Sequence, residues 1–277
     1  MEVKTKKLKK ELYNWYKTNK REFSWRNSSN PWKIFLIETL SQQTQLNRAN
    51  KYYEIFIKLF PTPEDMSKST YKEVLEQWLG LGYNNRAKRL HEASKIISNI
   101  GFDNLYPNFE FLPGVGKYTS SAIRSFAYGD KIITEDTNVK RILSRFFGID
   151  NIDKYLRNYS NLLLSRVESR DINQAFMDFG SQICKSSVPN CTECPVESLC
   201  SKYFKVEKKS VEKFKGSNRE TRGKILKYLV AENPVTFYKL KKEINTSEEK
   251  FKKALSGMKR DNLIKVNKNN VIEINSE

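Results

Sequence analysis

Two groups of residues in this 277-residue chain have types and spacing suited to chemistry: a glycine hairpin followed by a carboxylate, and four clustered cysteines. From Leu112 the chain reads Leu-Pro-Gly-Val-Gly-Lys-Tyr-Thr, and Asp136 follows Gly116 by 20 residues within Thr-Glu-Asp-Thr-Asn-Val-Lys-Arg. Gly114 and Gly116 let the backbone turn tightly and approach another molecule closely. The helix implied from about Lys117 onward aims its first N–H groups at that point, where an anion is the natural guest. Asp136 precedes a new helix start, a position from which it either caps that helix or projects into a cleft.

Cys184, Cys191, Cys194 and Cys200 fall within 17 residues, with six, two and five residues between them. In a reducing compartment such a cluster holds a metal rather than disulfides. Structural zinc usually pairs two Cys-x2-Cys knuckles, and only Cys191 and Cys194 form one here. The spacing therefore leaves zinc and a four-iron, four-sulfur cluster as alternatives. His91 is the sole imidazole, which excludes multi-histidine metal sites and most histidine-based catalysis. Its setting in Leu90-His91-Glu92-Ala93 reads as an ordinary amphipathic helix.

The 50 Lys and Arg against 32 Asp and Glu give a formal charge of +18, which points to a polyanionic partner. Nucleic acid fits better than a membrane, because no apolar run approaches the roughly 18 residues of a spanning helix and no signal-like segment opens the chain. An intracellular protein of the cytoplasm or nucleoid is expected, acting as a monomer. Apolar residues recur at helical spacing through Leu8–Tyr16, Ile34–Phe60, Tyr71–Leu79, Ala87–Ile100, Thr119–Phe126, Val139–Phe147 and Asn173–Cys184. The expected fold class is mainly α, with two lobes around a cleft in residues 1–204.

Residues 205–220 are charged and read as a linker. Beyond them, helical patterns over Arg222–Ala231, Thr236–Ile244 and Ser247–Arg260 precede an alternating hairpin over Leu263–Ile274 around Asn269-Asn270. This predicts a small winged-helix-like α+β domain at 221–277. From 201 to 277 there are 20 basic and 10 acidic residues, a difference of +10, so DNA is the favoured partner of this tail, with a docked protein as the alternative.

Gly-Val-Gly, Asp136 and the Cys-x6-Cys-x2-Cys-x5-Cys ending together resemble the helix-hairpin-helix DNA glycosylases related to endonuclease III. Phe23-Ser24-Trp25-Arg26, Pro31-Trp32-Lys33-Ile34, Glu38-Thr39-Leu40-Ser41-Gln42-Gln43-Thr44-Gln45, Trp78-Leu79-Gly80-Leu81-Gly82-Tyr83 and Phe176-Met177-Asp178-Phe179-Gly180 resemble the MutY-type adenine branch. The likeness covers roughly residues 10 to 204, and it implies a 4Fe-4S cluster on the four cysteines and double-stranded DNA containing a mismatch or lesion as substrate.

The resemblance also assigns roles. Glu38, on a helical run beside Ile34, Ile37 and Leu40, would keep a proton and deliver it to N7 of the departing adenine. Asp136 would carry the negative charge that stabilises the cation-like sugar. Tyr118 occupies the position where bifunctional relatives place the attacking lysine. A phenol forms no Schiff base, so base removal without efficient strand cleavage is expected, with Tyr118 supporting the catalytic carboxylate. Gln42, Gln43 and Tyr83 are the candidates for filling the gap left by an everted base, and Gly114, Gly116 and Lys117 for holding backbone phosphate.

Two departures stand out: nothing from 205 onward resembles the larger strand-rich domain with which adenine glycosylases recognise oxidised guanine, and Thr137 stands where they often have glycine. The alternatives are a thymine or uracil glycosylase acting opposite guanine, and a non-catalytic iron-sulfur, winged-helix DNA-binding regulator.

Overall fold

The computed structural model of the protein describes residues 2–164, 169–204 and 214–275. The chain is helical from its start: α1 (Glu2–Asn19), α2 (Pro31–Ser41), α3 (Leu46–Leu59), α4 (Pro63–Lys68), α5 (Tyr71–Trp78), α6 (Asn85–Ile100) and α7 (Phe102–Leu105). After the glycine hairpin come α8 (Lys117–Ala127), α9 (Thr137–Phe147), α10 (Leu156–Leu163) and α11 (Ser169–Gln182). A last group comprises α12 (Asn218–Ala231), β1 (Val235–Thr236), α13 (Phe237–Glu243), α14 (Glu248–Arg260), β2 (Ile264–Val266) and β3 (Val271–Ile274). No helix among the described residues is long and apolar enough to cross a membrane.

Contacts divide the described residues into two units. The first takes residues up to 38, 106–111 and 115–204; the second takes 39–105, 112–114 and 214–275. In the first, Leu8, Leu12 and Tyr16 on α1, Val139, Ile142, Leu143 and Phe146 on α9, and Ile172, Phe176 and Phe179 on α11 bury their apolar stripes in one core.

That core encloses one ion cluster. Asp178 is fully buried, and Arg26 grips both its carboxylate oxygens at 2.7 Å. Arg21 adds its backbone N–H at 3.0 Å and its Nε at 2.7 Å. Arg26 also donates to the Tyr16 hydroxyl, which in turn donates to Gln174 Oε1 at 2.8 Å. Fork-to-carboxylate pairing of this kind compensates the burial of the charge and fixes the 20–28 segment on α11.

Local signals explain most boundaries of the second unit. Thr62 and Thr70 begin α4 and α5 with complete capping boxes, and Gly101, at φ +83°, closes α6. Trp78 packs edge-on against Phe56 and donates its indole N–H to the Gly82 carbonyl at 3.1 Å.

The apolar spacing over Ile34–Phe60, read as one helical run, corresponds to two helices, because α2 stops at Ser41 and α3 begins at Leu46. The break has a cause outside the segment. Arg86 Nη1 takes the Thr39 and Leu40 carbonyls, both at 3.0 Å, Nη2 reaches Thr44 Oγ1 at 3.2 Å, and Gln43 adopts φ +55°.

The C-terminal elements follow the winged-helix order expected from their periodicities, and the sheet is antiparallel in the order β1-β3-β2. Thr236 and Ser247 cap α13 and α14, and Asn270, at φ +55°, turns the hairpin. The two-residue strand β1 was not legible. Residues 205–213 of the predicted linker lie outside the described residues. Residues 214–217 form a turn in which Ser217 caps α12.

At Gly180 the helix α11 comes close to the start of α9. A Cβ on Gly180 would lie 2.5 Å from Cβ of Asn138, so neither helix could keep its place. Gly180→Ala is expected to destabilise the protein by about 1–3 kcal/mol, the usual cost of overpacking. Thermal denaturation of the purified variant checks this, and an unchanged midpoint would contradict it.

Candidate active site

Glu38 lies on the last full turn of α2, where Ile34, Phe35, Leu36, Ile37 and Leu40 are all buried. Its own side chain is only 5% exposed. Tyr118, half-buried on the first turn of α8, donates its hydroxyl to the Glu38 carboxyl, and Asp136 is close enough to act on both electrostatically. The structure thus brings Glu38, Tyr118 and Asp136 together within the first unit.

The electrostatics separate the two carboxyl groups. Loss of water around Glu38 raises its pKa to about 7 from an ordinary 4.5; the Tyr118 hydrogen bond works against that shift and the negative charge of Asp136 adds to it. The same burial, with Glu38 and Asp136 beside it, holds the Tyr118 phenol well above its usual range and so protonated. Asp136 is half-buried and N-caps α9, accepting from the Asn138 N–H at 2.6 Å. A helix N-terminus is a place that favours negative charge. Of the two readings of this residue open from sequence, the cap is the one seen.

Asp136 is positioned by a residue that its sequence context did not reveal. Asn173 on α11 is fully buried. Its Oδ1 accepts from the Thr134 N–H at 2.9 Å, and its Nδ2 donates to Ser125 Oγ, the Ile132 carbonyl and the Ser169 carbonyl at 2.9–3.0 Å. These bonds pin the 130–135 strand-like segment to α8 and α11, directly upstream of the aspartate. A buried amide with all its groups satisfied is what such a segment needs, but no local sequence pattern identifies it.

In the second unit, Gln42 donates to the Gly114 carbonyl at 3.3 Å. Gly114 has φ +81° and would bring a Cβ to 3.2 Å from Cβ of Arg89, so the position requires glycine. Gln43 is exposed, as are Gly116 and Lys117 in the first unit. Tyr83 sits at φ +49° on the loop after Gly80 and Gly82, both also at positive φ, and its ring is 48% exposed. Arg86, which sequence reasoning treated only as part of a basic run, holds this loop through the Gly82 carbonyl at 3.0 Å and lies 5.8 Å from the Tyr83 ring centre. His91 is buried and bonded to the Ser69 carbonyl at 2.9 Å, a structural role.

Cys184, Cys191, Cys194 and Cys200 all line one small pocket, of about 30 Å³. Arg145 reaches Cys184 Sγ at 3.5 Å and the carbonyls of Lys185 and Ser186, while Arg141 takes the Cys184 carbonyl. Among the described residues no three His, Cys, Asp or Glu side chains are grouped so as to hold a single metal ion. The four thiols lining this pocket are the residues present that could hold a metal centre.

The first unit thus carries a buried acid, a phenol on the first turn of α8 and a capping aspartate at the start of α9. Residues 37–165 match the model of the HhH-GPD superfamily of base excision DNA repair proteins. The adenine DNA glycosylase of Buchnera aphidicola subsp. Baizongia pistaciae is 36% identical over 204 residues, 70% of this chain and 57% of that protein. That of Buchnera aphidicola subsp. Acyrthosiphon pisum is 33% identical over 253 residues, 87% of this chain and 71% of that protein. The structure of a thermostable thymine-DNA glycosylase superposes with a TM-score of 0.67 and 29% identity, over 73% of this chain and 97% of that one.

The chain belongs to the helix-hairpin-helix DNA glycosylase superfamily of endonuclease III, in its MutY-type adenine DNA glycosylase branch. It spans 40–57% of the length of several of the adenine DNA glycosylases it matches.

The raised Glu38 carboxyl has a measurable consequence for stability. Between its ordinary 4.5 and about 7, the folded protein keeps a proton that the unfolded chain has lost, so stability falls as pH rises through that window and levels off above it. Neutral Glu38→Gln escapes this loss. Its melting temperature relative to the parent should therefore rise from about pH 5 to about pH 8, a relative gain of at most about 3 kcal/mol. A pH-independent difference would show that Glu38 is not the group that titrates.

Proposed function

We propose that the protein is a monofunctional DNA glycosylase of base-excision repair that hydrolyses the N-glycosidic bond of adenine mispaired with guanine or oxidised guanine. The observation that carries this reading is the pair of unlike carboxyl groups gathered with Tyr118: a buried acid that holds its proton to about pH 7, and an aspartate seated on a helix N-terminus. The adenine glycosylases similar to the chain support the choice of base.

In this mechanism Glu38 gives its proton to N7 of the adenine. The bond from the base nitrogen to the sugar C1′ breaks, and its electron pair leaves with the neutralised base. The Asp136 carboxylate stabilises the positive charge on the sugar, and water adds at C1′, losing a proton. Tyr118 donates to Glu38 and keeps it oriented. With a phenol where an amine would attack the sugar, no Schiff base forms and the strand is left intact at an abasic site.

The base must first leave the duplex. Gln42, Gln43 and Tyr83 are the residues we assign to the space it vacates. The exposed hairpin of Gly114 and Gly116, with Lys117 and the open first N–H groups of α8, is assigned to a backbone phosphate. Cys184, Cys191, Cys194 and Cys200 are the residues that would hold a 4Fe-4S cluster, which when bound supplies a structural clamp for the 184–200 loop. The basic C-terminal elements are assigned to DNA, and the enzyme to action as an intracellular monomer.

The reaction is tested with duplexes bearing A opposite G, A opposite oxidised G, T opposite G and U opposite G, analysed before and after alkali. Strand breaks at the adenine duplexes only after alkali are expected, and Glu38→Gln and Asp136→Asn should each slow them by at least about 100-fold while duplex binding persists. Breaks without alkali would overturn the monofunctional mechanism; excision confined to T or U would overturn the assignment of the base. Purified protein is also expected to contain about four irons and four acid-labile sulfides per chain, lost in Cys194→Ser, and stoichiometric zinc in their place would refute the cluster.

A further inference from the structure

Two guanidinium groups from distant parts of the sequence lie within 6 Å of the Tyr83 ring centre. One is Arg86, buried and locked by the carbonyls of Thr39, Leu40 and Gly82. The other is Arg219, from the first turn of α12. Its Nη1 donates to the Tyr83 hydroxyl at 3.1 Å, and its guanidinium carbon lies 5.9 Å from the ring centre. The ring is nonetheless 48% exposed on a loop whose backbone occupies the left-handed region.

Arg219 is not on a loose tail. Its neighbour Arg222 donates to Asp261 at 2.5 Å, the residue that ends α14, and Asp261 also accepts from Asn85 on α6. Lys88 of α6 donates to the Asn262 carbonyl at 2.7 Å, and α12 packs on α5. Within the second unit, the C-terminal elements are thus bolted to the helix that starts two residues after Tyr83, and Arg219 is presented to the ring from a fixed base.

We propose that Arg219 is a positioning residue for Tyr83: the C-terminal elements hold the ring in the orientation from which it enters a DNA stack, and so take part in lesion engagement through this side chain. The proposal rests on the assignment of Tyr83 to the duplex made above. It gives the small C-terminal region a function that its charge alone does not, because a fork donor on the hydroxyl together with cation–π attraction on the ring constrains both ends of an aromatic side chain.

The test uses the full chain and needs no turnover. Duplexes carry a stable abasic-site analogue, with 2-aminopurine as the base next to it, so that binding and unstacking are read separately. Arg219→Ala is expected to raise Kd by about fivefold, within the range of an exposed cation–π contact, and to lower the 2-aminopurine signal of the saturated complex; Arg219→Lys should restore part of both. In a Tyr83→Ala background, Arg219→Ala should have no further effect.

An Arg219→Ala effect of the same size with and without Tyr83, accompanied by a shallower salt dependence, would make Arg219 a plain phosphate contact and overturn the proposal, as would no effect in the parent. Because the analogue has no base to excise, absence of glycosylase activity would refute the proposed reaction without touching this result.

Discussion

The site depends on one constraint: two carboxyl groups in a water-poor setting cannot both be charged. Burial falls on Glu38, inside an all-apolar helical stretch, while Asp136 keeps access to a helix N-terminus and the Asn138 N–H. The asymmetry is built from packing and not from additional charges; no arginine or lysine figures among the influences on Glu38. Tyr118 completes it. A phenol held protonated keeps a donor for the carboxyl, so it orients the acid without taking its proton.

Holding an aspartate at a set distance from a buried acid requires that the 130–136 segment not drift, and the first unit spends much of its polar interior on that. Asn173 fixes the segment from α11. Gly180, two turns further along the same helix, lets α11 approach the Asn138 end of α9. Arg141 spans the junction, donating to Asn138 Oδ1 and to the Gly180 carbonyl. The Asp178–Arg26 pair anchors the other face of α11. Each of these groups is buried or half-buried and partnered, which is how polar residues add specificity to a core without a net cost.

How much of this was legible in the sequence follows from the range of the interactions. The helices, the caps at Thr62, Thr70, Thr236 and Ser247, and the C-terminal hairpin rest on periodicity and short-range bonding, and those signals are local. The end of α2 was misjudged because the group that terminates it, Arg86, is more than forty residues away in sequence. For the same reason Asn173 was not identified: an asparagine mid-helix carries no mark of a fully satisfied network. The roles expected of Glu38, Asp136 and Tyr118 came from family resemblance, and the hydrogen bond from Tyr118 to Glu38 in particular was not foreseen. The contact of Arg219 with Tyr83, outside the segment carrying that resemblance, could not have been found that way.

The cysteine loop is coupled to the site by the same helix that Asp136 caps. Arg141 and Arg145 lie one turn apart on α9 and donate to the Cys184 carbonyl and sulfur and to the carbonyls of Lys185 and Ser186. At the far end of α9, Lys4 of α1 reaches the Phe146 carbonyl and Ser201 Oγ, and the Ser201 N–H donates to that same carbonyl. The loop is therefore tied along the length of α9. Burial raises the thiol of Cys194 to about 11 and shifts that of Cys200 in the same direction. Whatever fixes the 184–200 loop therefore also bears on α9, the helix whose first turn Asp136 caps.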